Sequence, residues 1–270
     1  MRHTPFFRTL LGAAAVASLL AVGCGGGGEE AAPAPGAGEE AAAPADAGQQ
    51  GTGPTGSAAV SGTVTFAGER PPLQPLNMNA DPACAEMHAG EEVYPDMLVL
   101  GDDGNTMGNI FVKVTNPPEG DYPAPSEPVV VDQQGCMYHP HVAAVMAGQP
   151  LQFKNSDGIL HNVHLLPEAN REQNIAMPGS MTETNVTLNE PESMFGVKCD
   201  VHPWMQAFVA VMDHPFFAVT DEDGQFTIEN LPAGTYEIEA WHERLGTQTA
   251  EVTVADGETV THDFEFATPN

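Results

Sequence analysis

Positive charge is the scarcest property of this chain. Its 270 residues hold 8 Lys and Arg against 37 Asp and Glu, a formal net charge of −29. A surface that acidic repels phosphate backbones, which excludes nucleic acid as a partner. Two readings of the excess stand: a docking face for a basic partner, or adaptation to high salt. The acids are dispersed along the chain and Lys is nearly absent, which favours salt adaptation. Also missing are a nucleophile elbow and a zinc motif, so nothing points to a hydrolase. No amphipathic helix of three turns is legible after the first 23 residues. What remains is 41% hydrophobic, enough for one large or two modest domains.

Residues 1–23, MRHTPFFRTLLGAAAVASLLAVG, begin with Arg2 and Arg8 and continue as a short apolar run ending in small residues. That pattern is a secretory signal rather than a spanning helix. The LAVGC junction resembles a bacterial lipobox. The resemblance implies lipidation of Cys24 and a mature protein anchored to a membrane outside the cytoplasm. Residues 24–57 are then Gly, Ala, Pro, Glu and little else. With no apolar side chain larger than Ala after Cys24, they cannot offset the entropy of ordering, and a disordered tether is expected.

From Val60 onward the pattern becomes short and alternating. VSGTVTF places Val60, Val64 and Phe66 on one face, and NIFVKV does the same with Ile110, Val112 and Val114. Further runs (QPLQFKN, ILHNVHLL, TNVTL, SMFGVKC, QAFVAVM) are punctuated by Gly, Pro, Asn and Asp. Short strands at this spacing predict an all-β chain folded as an antiparallel sandwich or barrel. After Met212 the turn-forming pieces DEDG and LPAG separate strands with Phe226 and Ile228, then Tyr236 and Ile238, alternating. Residues 216–268 resemble the carboxypeptidase regulatory-like domain, a small transthyretin-like sandwich, through T-x-x-DG-x-F-x-I-x-x-LPAGTY. The expected division is a first domain over 58–213 and this second one over 214–270. SGTVTFAGE near residue 61 also reads as a piece of the second domain, which leaves the boundary open.

Four cysteines must be assigned in an oxidising compartment. With Cys24 given to lipid and Cys199 three residues before His202, Cys84 and Cys136 remain. Three readings stay open for them: a disulfide closing a loop of about fifty residues, a second metal site with His88, His139 and His141, or free thiols. Oxidation and pair counting favour the disulfide.

The stretch VKCDVHPWMQAF sets Cys199, His202 and Met205 three residues apart between two strand-like runs. Upstream, KNSDGILHNVH places His161 where a turn meets a strand. Two imidazoles, one thiolate and a weak axial thioether suit a copper ion that alternates between Cu(I) and Cu(II). At these residues the chain resembles the cupredoxins, in the plastocyanin and amicyanin group. NSDGILHNV is similar to their first-ligand context and CDVHPWM to their C-x-x-H-P-x-M loop. The resemblance implies a cupredoxin-like Greek-key sandwich with one type 1 copper. His161, Cys199 and His202 would be its strong ligands and Met205 the axial one. It also implies that Asn162 bridges the two ligand loops, and that His202, rimmed by Pro203 and Trp204, is the electron port. Its front, residues 68–135, is longer and richer in Pro and Met than in a small cupredoxin.

The plainer readings belong beside these. Cys199 alone is a buried thiol, and Met205 alone is core packing. His139, His141, His164, His214 and His242 read as satisfied turn or strand-edge groups, and Met177 and Met181 as apolar filling. The function expected is electron carriage rather than catalysis, since the single HPH at 139–141 is too little for a trinuclear copper centre. No further ligand set suits a nitrite reductase. Family analogy implies a redox partner such as a c-type cytochrome or a respiratory complex. The alternatives are a copper-handling lipoprotein, a chaperone or sensor, or a structural or adhesion sandwich without metal.

Overall fold

The computed structural model describes residues 51–102 and 104–268. The expected signal segment, Cys24 and all but the last seven residues of the expected tether lie outside this range. Among the described residues no helix is long and apolar enough to cross a membrane.

The chain opens with strand β1 (Ala58–Ala67), the short helix α1 (Pro82–Met87) and β2 (Phe111–Val114). Nine strands follow: β3 (Val129–Gln134), β4 (Met137–His139), β5 (Val142–Met146), β6 (Pro150–Asn155), β7 (His161–Leu165), β8 (Gln173–Met177), β9 (Glu183–Thr187), β10 (Glu192–Lys198) and β11 (Gln206–Met212). Six more complete it: β12 (Phe217–Val219), β13 (Gln225–Leu231), β14 (Gly234–His242), β15 (Gly246–Val254), β16 (Thr259–Thr261) and β17 (Phe264–Ala267). The fold is all-β, as the alternating sequence predicts.

Strands β3 to β11 form one sandwich. Its sheets run β5-β11-β10-β7-β8 and β4-β3-β6-β9. Parallel neighbours β3 and β6, and β5 and β11, are reached by crossing between sheets rather than by hairpins. Between the sheets lie Val131, Leu151, Phe153, Val163, Leu165, Val197 and Val209, all essentially inaccessible. Burying each such side chain contributes about 1.5–3 kcal/mol, so the strands carrying the candidate ligands are firmly held.

The second sandwich corrects the expected boundary. Its sheets are β13-β1-β16, with β17 also on β1, and β12-β2-β14-β15. Strand β1 pairs Val64 with Phe264 and Val60 with Ile228, while β2 pairs Val112 with Ala240. Both strands belong with the C-terminal sheets although they precede the first sandwich in the chain. The physical reason is that β13 to β17 present an apolar face that needs the alternating apolar side chains of β1 and β2 to close it. Ala58, Val60, Val64, Ile110, Val112 and Val114 are fully buried there.

The two sandwiches pack through Phe111, Val142, Ala144, Ala210 and Met212. Phe208 and Trp241 stack edge-on with ring centroids 5.4 Å apart. Strand β5, VAAVM, is therefore buried on both faces, which is why it reads as a continuous apolar run. Across the same contact, His141 meets the Glu243 carboxylate at 2.8 Å. Residues 68–110 form neither sandwich's sheets apart from isolated bridges, and they place α1 beside the ligand loops.

Candidate metal centre

Strand β6 ends at Asn155 and β7 begins at His161, so the loop between them decides where His161 lies. The Asn155 amide donates to the Ile159 carbonyl at 2.9 Å and to the Met177 carbonyl at 3.1 Å, folding the loop back on itself. Gly158 turns it with φ +67, a conformation that costs glycine little. His161 emerges as the first residue of β7 with no solvent exposure.

The other half is the loop joining β10 and β11. The Cys199 N–H donates to the Met205 carbonyl at 3.1 Å, and the Met205 N–H to the His202 carbonyl at 2.9 Å. These bonds draw the chain into a closed loop with Cys199, His202 and Met205 all buried. Asn162 joins the two halves: its Oδ1 accepts from the Asp200 N–H at 2.6 Å, and its amide donates to Asn174 Oδ1 at 2.6 Å.

One donor atom each from His161, Cys199 and His202 lies within 4.8 Å of the other two. His161 Nδ1 is 2.9 Å from His202 Nδ1, and His202 Nδ1 is 3.7 Å from Cys199 Sγ. For a first-row ion bonded at about 2.0 Å to nitrogen and 2.3 Å to sulfur, a 120° angle gives a nitrogen-to-sulfur edge of about 3.7 Å. The His202–Cys199 separation fits that edge, while the 2.9 Å between the two nitrogens is shorter than the about 3.5 Å the same geometry gives, so the imidazoles would part slightly to hold an ion.

The outer nitrogens strengthen that fit. His161 Nε2 meets Asp157 Oδ2 at 2.8 Å and His202 Nε2 meets Asp81 Oδ2 at 3.2 Å. A carboxylate holds a proton on the nitrogen facing it, which leaves both Nδ1 lone pairs aimed at each other. Two lone pairs at that distance need a proton or a cation between them. Without a metal, a proton on His161 serves. Burial opposes its charge, but the Asp157 carboxylate and the Cys199 sulfur outweigh burial and push its pKa up to about 9. His202 is held below the usual imidazole range by burial and by the neighbouring His161, against the pull of Asp81. Burial pushes the Cys199 thiol up, yet hydrogen bonds from His161 and from the backbone of Asn162, His202 and Val201 bring it below its ordinary value. A buried cysteine biased toward thiolate beside two inward imidazoles is a soft-donor set suited to copper.

Three features differ from or extend the sequence reading. His202, the imidazole read as the electron port, is 1% exposed, and Asp81, from the segment inserted between β1 and β2, lies 3.2 Å from its outer nitrogen. Trp204 lies against His202 and is also tied to the disulfide turn. Its indole N–H donates to the Cys136 carbonyl at 3.1 Å, and its ring centroid lies 5.2 Å from that of His202. Only Pro203 and Val201 of this loop's apolar residues are exposed. Cys84 and Cys136 are joined in a disulfide, which removes the free-thiol reading for this state of the chain.

Asp157, Asp81 and Asn155 were not singled out from the sequence. Asp157 and Asn155 had a signal, NSDG just ahead of His161. Asp81 had none, being 121 residues from His202. Four other described histidines are hydrogen-bonded away from the centre. His164 lies between Glu172 and Asp200, His88 bonds the Gly135 carbonyl, and His214 and His242 accept backbone N–H groups. Met177 is buried with its sulfur accepting from Gln133, and Met181 packs against the same core.

No curated protein sequence matches the chain. Among solved structures, a Cu(I)-form variant of amicyanin is similar at 24% identity, covering 37% of this chain and 99% of that one, with a TM-score of 0.29. A reduced amicyanin variant matches at 24% identity over 31% of this chain and 81% of that one, TM-score 0.28. The copper-containing nitrite reductase from Thermus scotoductus matches at 20% identity over 37% of this chain and 25% of that one, TM-score 0.29. Likeness at this level lends no weight to the site, which stands on its own geometry. The family model of the carboxypeptidase regulatory-like domain matches residues 202–267, which run from the ligand loop through β17.

Proposed function

We propose that this chain is a lipid-anchored, extracytoplasmic carrier of single electrons, built around one type 1 copper. His161 Nδ1, His202 Nδ1 and the Cys199 thiolate would hold the ion, and the Met205 thioether would supply a weaker fourth donor. The observation that carries this reading is the convergence of two inward lone pairs and a thiol of lowered pKa at one buried point. When bound, copper supplies a one-electron change between Cu(I) and Cu(II). The protein's part is to keep the donor atoms fixed so that little reorganises. Loop closure at Cys199–Met205, the Asn162 bridge and the carboxylates on both outer nitrogens all serve that end. The acidic surface and the Gly/Ala/Pro tether suit a carrier that sweeps the space beside a membrane. Its redox partner is a c-type cytochrome or a respiratory complex.

A second reading is copper handling without electron traffic, favoured by one observation: His202 is shut from solvent. One experiment separates the two. Protein loaded with Cu(II) should show intense thiolate-to-copper absorption in the visible and cycle reversibly at an electrode, and Cys199→Ser should abolish the colour. A colourless, redox-silent copper complex would support handling, and absence of copper uptake would defeat both.

A further inference from the structure

Each imidazole of the centre has its outer nitrogen against a carboxylate, but the two carboxylates are supplied in different ways. Asp157 sits four residues before His161 on the same loop. Asp81 comes from the inserted segment and is the N-cap of α1, its Oδ1 accepting from the Ala83 N–H at 2.9 Å while Oδ2 faces His202. Helix α1 is too short to hold itself in place, so its position depends on tertiary ties. One is the Cys84–Cys136 disulfide, and another is His88 Nε2 on the Gly135 carbonyl at 2.7 Å.

Both ties end on the same two residues. Gly135 and Cys136 are the turn of the β3–β4 hairpin, between paired Gln134 and Met137, and both have positive φ, 62 and 56. That is the two-residue hairpin turn that follows strand twist. Its two N–H groups point at Asp157: Gly135 N to Oδ1 at 2.6 Å and Cys136 N to Oδ2 at 2.8 Å. One turn therefore holds Asp157 behind His161 directly and Asp81 behind His202 through α1. The sulfurs of the disulfide lie within 4.8 Å of a His202 ring nitrogen, so the staple is packed against the centre it braces.

We propose that Asp81 is a positioning residue for the metal centre, delivered by the stapled helix to fix the His202 ring with its proton on Nε2 and its lone pair on Nδ1. The role rests on the copper reading above for its consequence, but the ring geometry is a property of the metal-free chain too. A negative group on the outer nitrogen makes the imidazole a stronger donor, and the more highly charged Cu(II) gains more from that than Cu(I) does. Asp81 therefore lowers the reduction potential, and the cover it belongs to keeps water from the ligand edge.

The variant that isolates this role is Asp81→Asn. Asn caps a helix about as well as Asp, so α1 stays in place, while its amide cannot act as a carboxylate toward the Nε2 proton. In metal-free protein, ring nitrogen shifts of His202 should report the Nε2-protonated form in the parent and a mixture in the variant. In copper-loaded protein, Cu(II) affinity should fall ~10-fold or more, with Cu(I) affinity falling less. A ~10-fold preferential loss of Cu(II) appears as a potential raised by about 59 mV for one electron. Asp81→Ser, which also caps but does not reach His202, should behave likewise. An unchanged ring signal, or coincident potentials in two blue proteins, would overturn the assignment. If the parent takes up no copper, the copper reading fails by itself, and the ring measurement still decides the role of Asp81.

Discussion

Asn162→Ala tests whether the two ligand-bearing loops act as one unit. The side chain makes two bonds of 2.6 Å, accepting from the Asp200 N–H and donating to Asn174 Oδ1. Asn162 is 5% exposed, so water does not readily replace it at the Asp200 N–H. Leaving that donor unpaired costs about 1–3 kcal/mol. Asn174 also bonds Asp200 at the surface, at 2.7 Å, so its orphaned oxygen is met by water and adds little. The expected loss of stability is therefore about 1–3 kcal/mol, measured by denaturant unfolding of the metal-free chain with an unchanged slope. Copper affinity, measured by competition with a chelator, should fall ~10- to 100-fold as the loop carrying Cys199 and His202 shifts against His161. The control is Asn174→Ala, which leaves the Asp200 N–H paired and should cost well under half as much. Lower stability with copper affinity held within twofold would refute the reasoning, since Asn162 would then brace the fold without setting the ligand geometry.

Replacing both Cys84 and Cys136 with Ser removes a cross-link spanning 52 residues. In the chain-entropy treatment the loss is about 4 kcal/mol, to be read from urea unfolding against the oxidised parent. A loss below ~1 kcal/mol would mean that the inserted segment is held without the staple. Stability should also depend on pH through His214 and His242, both kept below the usual imidazole range chiefly by burial. Below pH ~6.5 the unfolded chain binds protons that these folded histidines refuse, so stability falls as pH drops toward their folded values. The slope is at most about 1.4 kcal/mol per pH unit for each histidine. Thermal melts of the metal-free chain between pH ~6.0 and ~5.0, below the range in which His161 and His164, both held above the usual imidazole range, gain stability on acidification, should show the decline, and His214→Gln should flatten it. Phe153→Ala, at a fully buried position between the two sheets, should cost about 3–5 kcal/mol, and a loss under 1 kcal/mol would show that the core collapses around the gap.

Local pattern made the strands legible. Side chains alternate along a strand, so Val60, Val64 and Phe66, or Ile110, Val112 and Val114, announce a buried face wherever that strand lies. The same pattern is silent about which sheet a strand joins. That is why β2 read as part of the first domain and β1 left the boundary open, although both complete the second. The candidate ligands were legible because their loops are short: Cys199, His202 and Met205 are spaced three apart, and a glycine turn precedes His161. Spacing alone limits where such side chains point.

The sequence by itself determined an all-β chain, a short Cys-His-Met loop and a His-bearing turn that can face it. Tertiary structure decided everything that depends on long-range approach. It swapped β1 and β2 into the C-terminal sheets, joined Cys84 to Cys136, and carried Asp81 across 121 residues to His202. It also buried His202, whose exposure the local likeness left open. Exposure is the area other segments leave uncovered, and no property of His202 or its neighbours in sequence specifies what will cover it.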